Sequence, residues 1–529
     1  MATPSETFIR TGQREFDELV ALVRSFLAHD VLDLIIDGQH IRGYRTPDTR
    51  SVWIRDHSDM MRAFRHFEPD LTSAVEHFAD TQAASGRIFD YFTTFPEKPP
   101  SERENWTKYV RVPVEADVEY RFVKAAWLAW QATGDDDWIR KLLPCMERAL
   151  AYVMAHPWYW DARLGLVKRA YTIDTWDFAY TAGRHEWLQF QIDDDTFWGV
   201  MHGDNSGYYQ AFRIMASLQR RFGDEQKAAW WDAQAGALRA RMNQVCWNGR
   251  FYTHFVKLTP VTIGGVNEAE QLSLSNPMDI NRGVAEHRQA VSIIREYQSR
   301  GATGKAFAEW FSIDPPFPDG AFGDERLIRG AYCNGGIMPL VGGELARASF
   351  DHGFEAYGVD ILRRYYRMIS EKGATYLWYF PDGKPSSVET STSPEASPTD
   401  GWGSSAMLWA LLEGLAGVVD AGRGYDEVDL SPRWVAAGVD EAVVAVGYES
   451  SGRGIWYRFR LASDCVRLEV VTEGGELRCE VLLPAGAQTR SVTYNGHPLE
   501  FSETRVEQSS YVNFGARGEK QCSFEIRLK

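Results

Sequence analysis

The feature that most constrains this chain is a train of amphipathic segments running from about residue 12 to about residue 425. In REFDELVALVRSFLAHDVLD the apolar Phe16, Leu19, Val20, Val23, Phe26 and Leu27 recur on one helix face. Comparable periodicity predicts helices near 58–84, 114–132, 136–155, 205–221, 224–244, 284–299, 335–349, 353–370 and 403–420, with one more expected within 302–312. Each apolar stripe must be buried against another element. Two stretches repeat one design, a helix, a short acidic turn and a second helix, with turns at Gly134–Asp137 and Gly223–Gln226. Acids in those turns suit helix N-termini. Paired helices, about twelve of them, predict a mainly α domain built as a toroid of six helical hairpins, (α/α)6.

Long stretches without helical period separate these segments, at 85–112, 157–203, 246–283, 313–334 and 374–402. They are rich in Trp, Tyr, Pro, Gly and acids, and loops of that length in a compact domain usually build a site. They are expected to line one end of the toroid. After about residue 425 the period shortens to two. Ile455, Tyr457, Phe459 and Leu461 alternate with polar residues, as do Val466, Leu468 and Val470, with turns at EGGE, LPAGA and YNGHP. That pattern predicts a C-terminal antiparallel β-sandwich over 426–529, capping a barrel over 1–425.

Composition excludes several functions. A net charge of −16 without a basic block disfavours nucleic acid and anionic membrane surfaces as partners. No apolar run is long enough to span a bilayer and MATPSETFIRTGQREFDEL has no signal core, so the expected location is cytoplasmic. The six cysteines are scattered without a CxxC pair and read as reduced core thiols, with a Cys465–Cys479 pairing left open. No phosphate-loop, dinucleotide or HExxH motif occurs and the histidines show no paired metal spacing, so no cofactor or metal is implied.

The 19 tryptophans point elsewhere. Trp53, Trp106, Trp176 and Trp402 each stand beside charged residues, not within apolar runs. An indole face against a sugar ring, with carboxylates and Arg gripping the hydroxyls, uses such pairs. Three segments carry this chemistry. Ser51-Val-Trp-Ile-Arg-Asp-His57 sets Trp53, Arg55 and Asp56 just before a helix, where a forked guanidinium and an acceptor carboxylate suit vicinal hydroxyls. Tyr171-Thr-Ile-Asp-Thr-Trp-Asp-Phe178 places Asp177 between Trp176 and Phe178, surroundings that disfavour its ionised form, with Asp174 as competitor. The third runs from GATYLWY, ending at Tyr379, through FPDGKPSSVETSTSPEASPTDG to Gly-Trp402-Gly-Ser.

The first segment resembles the W-x-R-D motif of glucoamylase-like glycosidases, the second the ESGWDF segment of trehalases and processing α-glucosidases, and the third the end of the barrel in α-L-rhamnosidases and trehalases. By that resemblance the chain looks like an (α/α)6-barrel glycoside hydrolase. Arg55 and Asp56 would hold the terminal sugar, and Asp177 would be the general acid. Where rhamnosidases carry Glu after the Trp, this chain has Tyr379, so the base must come from the following loop: Glu389 first, Glu395 second, Asp382 behind. An inverting pair needs its carboxyls roughly 6.5–9.5 Å apart. Glu115 and Asp117, Asp204 and Asn205, Asp319 and Glu325, and Asn334 complete the candidates. The resemblance implies an exo-acting, inverting hydrolase of a terminal α-gluco-type sugar, with an oligosaccharide or small glycoside as partner. Three alternatives stay open: a sugar phosphorylase; an epimerase using His57, His185 and His202; and a non-catalytic sugar-binding protein.

Overall fold

The computed structural model describes residues 6–36, 38–45, 51–93, 114–184, 192–387, 397–517 and 519–529. The described helices are α1 Arg14–Asp17, α2 Leu19–Leu27, α3 Ile54–Phe64, α4 Ser73–Asp80, α5 Val118–Thr133, α6 Asp136–Ala155, α7 His202–Arg221, α8 Glu225–Val245, α9 Ser275–Asn281, α10 His287–Thr303, α11 Pro339–Asp351, α12 Glu355–Lys372 and α13 Gly401–Trp409. A π-helical turn, Ala410–Leu415, extends α13. The acidic turns work as their composition predicts. Asp135 caps α6 by accepting from the N–H groups of Asp137 and Trp138 at 3.0 and 2.9 Å, and Asp224 caps α8 through Lys227 N–H at 3.0 Å.

Alternate helices pack into a closed ring. Helix α3 lies against α5, α5 against α7, α7 against α9, α9 against α11, α11 against α13, and α13 returns to α3. A second set lies outside: α6 on α5, α8 on α7, α10 on α9 and α11, α12 on α11, α4 on α5 and α2 on α13. Close approach of α11 and α13 depends on the glycine pair in LVGGEL, because a Cβ on Gly343 would stand 2.4 Å from the Ala406 carbonyl carbon.

Four expectations need correcting. The 58–84 segment is two helices, α3 and α4, and no helix occupies 302–312 beyond the end of α10. Helix α9 falls inside a stretch read as loop, because SNPMDIN is too short to show a period. The mainly α description holds only as far as Leu415.

Beyond it two sheets form the C-terminal region. One orders Phe8–Arg10, Glu441–Gly447, Gly454–Leu461, Cys465–Val471, Gln521–Leu528, Thr489–Tyr494 and His497–Leu499; the other orders Val418–Asp420, Glu427–Leu430, Glu476–Leu482, Ser509–Arg517 and Ser502–Val506. Phe514 of one sheet meets Phe524 of the other with ring centroids 4.9 Å apart, so the sheets stack face to face. All pairings are antiparallel except Glu427–Leu430 with Glu476–Leu482. The predicted inward set is buried, with Ile455, Tyr457, Phe459, Val466, Leu468 and Val470 each 0% exposed, except Leu461 at the strand end, which is half-buried. The division at residue 425 does not follow the strands: Val418–Asp420 already belongs to the smaller sheet, and Phe8–Arg10 is an edge strand of the larger one. Cys465 and Cys479 lie in different sheets, and all six cysteines are free and buried.

The sheets cap the helical ring through specific contacts. Trp434 packs on Phe16 and donates to the Tyr457 hydroxyl at 2.7 Å, and that hydroxyl donates to Ala416 O at 2.7 Å. Among the described residues no helix is long and apolar enough to cross a membrane.

Candidate active site

The candidate residues converge where the inner helices begin. Arg55 sits in the first turn of α3. Its Nε and Nη2 donate to Asp117, the residue before α5, at 2.8 and 2.9 Å, and Nη2 also donates to Glu115 at 2.7 Å. Burial opposes the charge on Arg55, but Asp117 and Glu115 outweigh it and keep the guanidinium protonated. Burial likewise disfavours the Asp117 carboxylate; Arg55 and Arg121 prevail and hold it well below the usual range. The expected Arg55–Asp56 clamp is therefore rearranged. Asp56 accepts instead from Arg45 at 2.8 Å, and both Arg55 and Asp56 keep about an eighth of their side chains exposed (13% each).

Trp53 precedes α3 on a short strand paired with Tyr91–Thr93, and its ring stacks on Tyr91 at 3.8 Å between centroids. The same pairing delivers Asp90, whose backbone O accepts from Ile54 N–H at 2.9 Å. Asp90 is 1% exposed and faces Glu115; burial, and then that neighbouring carboxylate, push its pKa well above the usual range. Two carboxyls in one dry site cannot both ionise. Asp90 is the carboxyl pushed towards its protonated form, and Glu115 accepts from Arg55.

Asp177 lies beside this pair. Its neighbours Trp176 and Phe178 are buried, 5% and 4% exposed, while Asp177 itself stays partly open. Burial, then the charge on Glu115, raise its pKa to about 7 against the opposing pull of Arg55 and Arg169. Trp176 stands 6.2 Å from Trp402 and edge-on to Tyr332 at 5.5 Å. Trp402, in the first turn of α13, donates from Nε1 to Asp59 at 2.9 Å, and Asp59 is held by Arg121 and Lys124, each at 2.6 Å. Asp400 caps α13, accepting from Gly403 N–H at 2.8 Å; burial pushes it up to about 6, with the charge of Asp56 adding to the rise and that of Arg45 opposing it.

The structure takes two residues out of the set. Asp174, 0% exposed with φ of +47°, spends its carboxylate on Ser275 Oγ (2.6 Å) and Thr175 N–H (2.7 Å), tying its loop to α9. Asn334 is 1% exposed and bonds the backbone of Phe317 and Leu327 at 2.8–3.1 Å, so it has no group left for a ligand. Among the weaker candidates, Asp204 pairs with Arg169 at 3.4 Å and burial raises it to about 6. Asn205 braces Val167, Asp382 accepts from Lys384 N–H in an exposed turn, Asp319 accepts from Arg329 N–H, and Glu325 is exposed. Tyr379 is fully buried; its hydroxyl accepts from Tyr376 N–H at 3.1 Å and its backbone pairs with Ile337. It is part of the wall. His57 and His202 are 0% exposed, the first stacked on Tyr44 and the second bonded to Asp279 at 2.5 Å. Glu389, Glu395, Trp106 and His185 lie outside the described residues.

Sequence reasoning missed Asp90, Asp59 and Arg45. Asp90 and Arg45 sit in loops without a motif, and Asp59 lies on a helix face read only as periodicity. Their one signal is a charge beside an aromatic run, as in RIFDYF. Among the described residues no group of three or more His, Cys, Asp or Glu side chains is placed to hold a metal.

Neither a protein-family model nor a curated protein sequence matches the chain. Solved structures do. The chain is similar to an α-L-rhamnosidase from Dictyoglumus thermophilum, with 12% identity over 100% of this chain and 51% of that one and a TM-score of 0.59. The Streptomyces avermitilis α-L-rhamnosidase complexed with L-rhamnose gives 15% identity, 98% and 42% coverage and a TM-score of 0.59. A GH63 mannosylglycerate hydrolase from Thermus thermophilus in complex with glucose gives 14% identity over 74% of this chain and 99% of that one, with a TM-score of 0.52. At such identities the likeness is one of fold. The chain spans about half the length of the rhamnosidases it matches.

Proposed function

We propose that the chain is an (α/α)6-toroid glycoside hydrolase that removes a terminal sugar from an oligosaccharide or small glycoside by inversion. The observation that carries this reading is Asp177: a partly open carboxyl, flanked by buried aromatics, whose pKa is raised to about 7. Such a group keeps a proton to give near neutral pH. Asp177 protonates the glycosidic oxygen as the bond to the anomeric carbon breaks. Water attacks the opposite face of the ring and loses its proton to a base, for which Glu389 is the first candidate and Glu395 the second. The product sugar leaves with inverted configuration. Trp53, Trp176 and Trp402 supply ring faces, Arg55 and Asp56 the partly exposed polar groups, and Glu115 sets the charge beside the acid.

The leading substrate is an α-glucoside, in keeping with the trehalase-like segment around Asp177. An α-L-rhamnoside is the second reading, favoured because the fold likeness to rhamnosidases spans nearly the whole chain, sheets included, whereas that to the mannosylglycerate hydrolase covers 74%. The buried state of His57 and His202 weighs against epimerisation. The guanidinium groups near Asp177 weigh against phosphorolysis, since Arg55 is taken by Asp117 and Glu115, and Arg169 by Asp204 and Trp176 O. The test is a panel of α-glucosides, α-L-rhamnosides and natural disaccharides, with NMR reading the anomer released first. Inverted product supports the reading. Retained configuration sinks the two-carboxyl scheme, and turnover of a free sugar or dependence on phosphate restores the rivals. An Asp177→Asn chain that keeps every function is a sugar-binding protein.

A further inference from the structure

The ring has a second end. There the later turns of the inner helices line a cavity of about 460 Å³, opposite the end that holds Asp177. A chain carrying −16 charges overall sets Arg62, Arg65, Lys124, Arg213, Arg282 and Arg347 around this space against Glu344, Glu413 and Asp420. Burial raises Asp420 to about 7 and lowers Lys124 to about 7, so both signs are thinned and the arginines carry the charge.

Five of the six cations have a carboxylate partner, Lys124 with Asp59 and Arg213 with Asp232 at 2.6 Å each and Arg347 with Asp351 among them; Arg282 is the exception. Glu344 pairs with Arg62 and also accepts from Asn281 at 2.6 Å; Glu413 pairs with Arg65 at 2.6 Å. Arg282 donates to Gly203 O and Ser206 Oγ at 2.7 and 2.8 Å and has no carboxylate partner among the described residues. Arg62 and Arg65 are each 4% exposed, yet Nη2 of the first and Nε of the second have no acceptor. Nε of Arg347 is likewise orphaned, with Glu413 3.9 Å away. The Trp409 ring fixes two of these groups, lying under the Arg62 and Arg347 guanidiniums at 4.9 and 5.4 Å. Helix C-termini attract cations, which accounts for Arg62 in the last turn of α3 and Arg282 just past α9, but not for Lys124, Arg213 and Arg347, which lie earlier in their helices. Nor does it account for the Arg282 guanidinium lining the cavity with no carboxylate partner among the described residues.

We propose that this cavity binds a small phosphate-bearing anion, either free phosphate or a sugar phosphate. Planar guanidinium forks match phosphate oxygens, and Arg282, which lines the space without a carboxylate partner, is the fork free to take one. Trp127 and Tyr209 give the same wall an aromatic side for a ring attached to the phosphate. The site lies away from Asp177, so its anion is not a co-substrate of the proposed reaction, and the inference stands independently of that reaction. One structural thread joins the two ends: Lys124 lines the cavity and holds Asp59, which in turn holds the Trp402 indole.

The test is calorimetry of the full chain with inorganic phosphate, pyrophosphate and glucose 6-phosphate, each against chloride at equal ionic strength. Saturable binding at one site is expected. Arg282→Gln and Arg347→Gln each weaken it about tenfold, the loss of one charge-assisted contact, while Arg140→Gln on the exposed face of α6 leaves it unchanged. Should the buried variants fail to fold, Arg213→Gln at the rim, whose side chain is 56% exposed, replaces them and weakens binding with a reduced salt dependence. Tighter binding of glucose 6-phosphate identifies a sugar phosphate, and equal affinity identifies free phosphate. Heats no different from chloride, or binding indifferent to every pocket variant, overturn the proposal.

Discussion

Replacing Asp177 by Asn should remove catalysis in a way that depends on leaving group and pH. An aspartate at its ordinary 3.8 is protonated in about one molecule in a thousand at pH 7; raised to about 7, half the molecules carry the proton. The fold thus increases the supply of acid by roughly 10³, within the usual 10²–10⁴ range of general-acid catalysis. The assay compares an alkyl glycoside, whose departing alkoxide needs a proton, with the p-nitrophenyl glycoside of the same sugar, whose phenolate leaves unaided. Wild-type kcat/KM on the alkyl glycoside should fall to about a tenth of its plateau by pH 8, because the acid must be protonated and is lost as pH rises through about 7. Asp177→Asn should lower alkyl-glycoside turnover by about 10²–10⁴ and abolish that alkaline limb, with far less effect on the p-nitrophenyl substrate. Equal losses on both substrates, or an alkaline limb that survives in the variant, would refute the assignment.

Three further outcomes follow from the same geometry. Asp90→Asn should unfold within about 1 kcal/mol of wild type at pH 7 by chemical denaturation, since the amide mimics a carboxyl that is already protonated; Asp117→Asn should cost about 3–5 kcal/mol because it strips a charge from buried Arg55 and Arg121. The sign of the pH effect separates the two: a raised folded pKa gives stability that is lost as pH climbs above about 4, so Asp90→Asn should flatten the fall of stability on the alkaline side. Trp402→Phe keeps a ring but withdraws the N–H from Asp59; KM should rise severalfold with kcat little changed, and melting should report a loss of about 1 kcal/mol. Gly343→Ala drives a methyl into the Ala406 backbone and should lower stability by roughly 1–3 kcal/mol in the same denaturation assay.

What the sequence disclosed depended on how local each signal is. Helix periodicity and the acidic caps at Asp135 and Asp224 are encoded within four residues; the caps appear where expected, and the helices do except over 58–84, which splits in two, and 302–312. Strand alternation in GIWYRFRL is equally local. Helix α9 was hidden because seven residues with a proline carry no stripe, although the ring cannot close without it. At the site, proximity of an acid to a tryptophan located Asp177 and Trp402. It could not separate Asp177, which is partly open, from Asp174 three residues earlier, which is spent on Ser275. That difference is set by a chain segment a hundred residues away. Asp90 was out of reach for the same reason: its place beside Glu115 comes from the Trp53–Tyr91 pairing, which no spacing encodes.

The ring also explains why acid chemistry belongs at one end and the cationic cavity at the other. Neighbouring inner helices joined through outer ones run the same way, so their N-termini collect at one mouth. There the partial positive charges favour carboxylates, and Asp56, Asp117, Asp204 and Asp400 occupy first turns or cap positions. A carboxylate inside such a mouth would normally be held ionised. Asp177 escapes because it lies on a loop outside any helix turn and faces Glu115, whose charge adds to the effect of burial. Burial still raises Asp204 and Asp400 at their helix starts to about 6, short of the about 7 that Asp177 reaches on its loop.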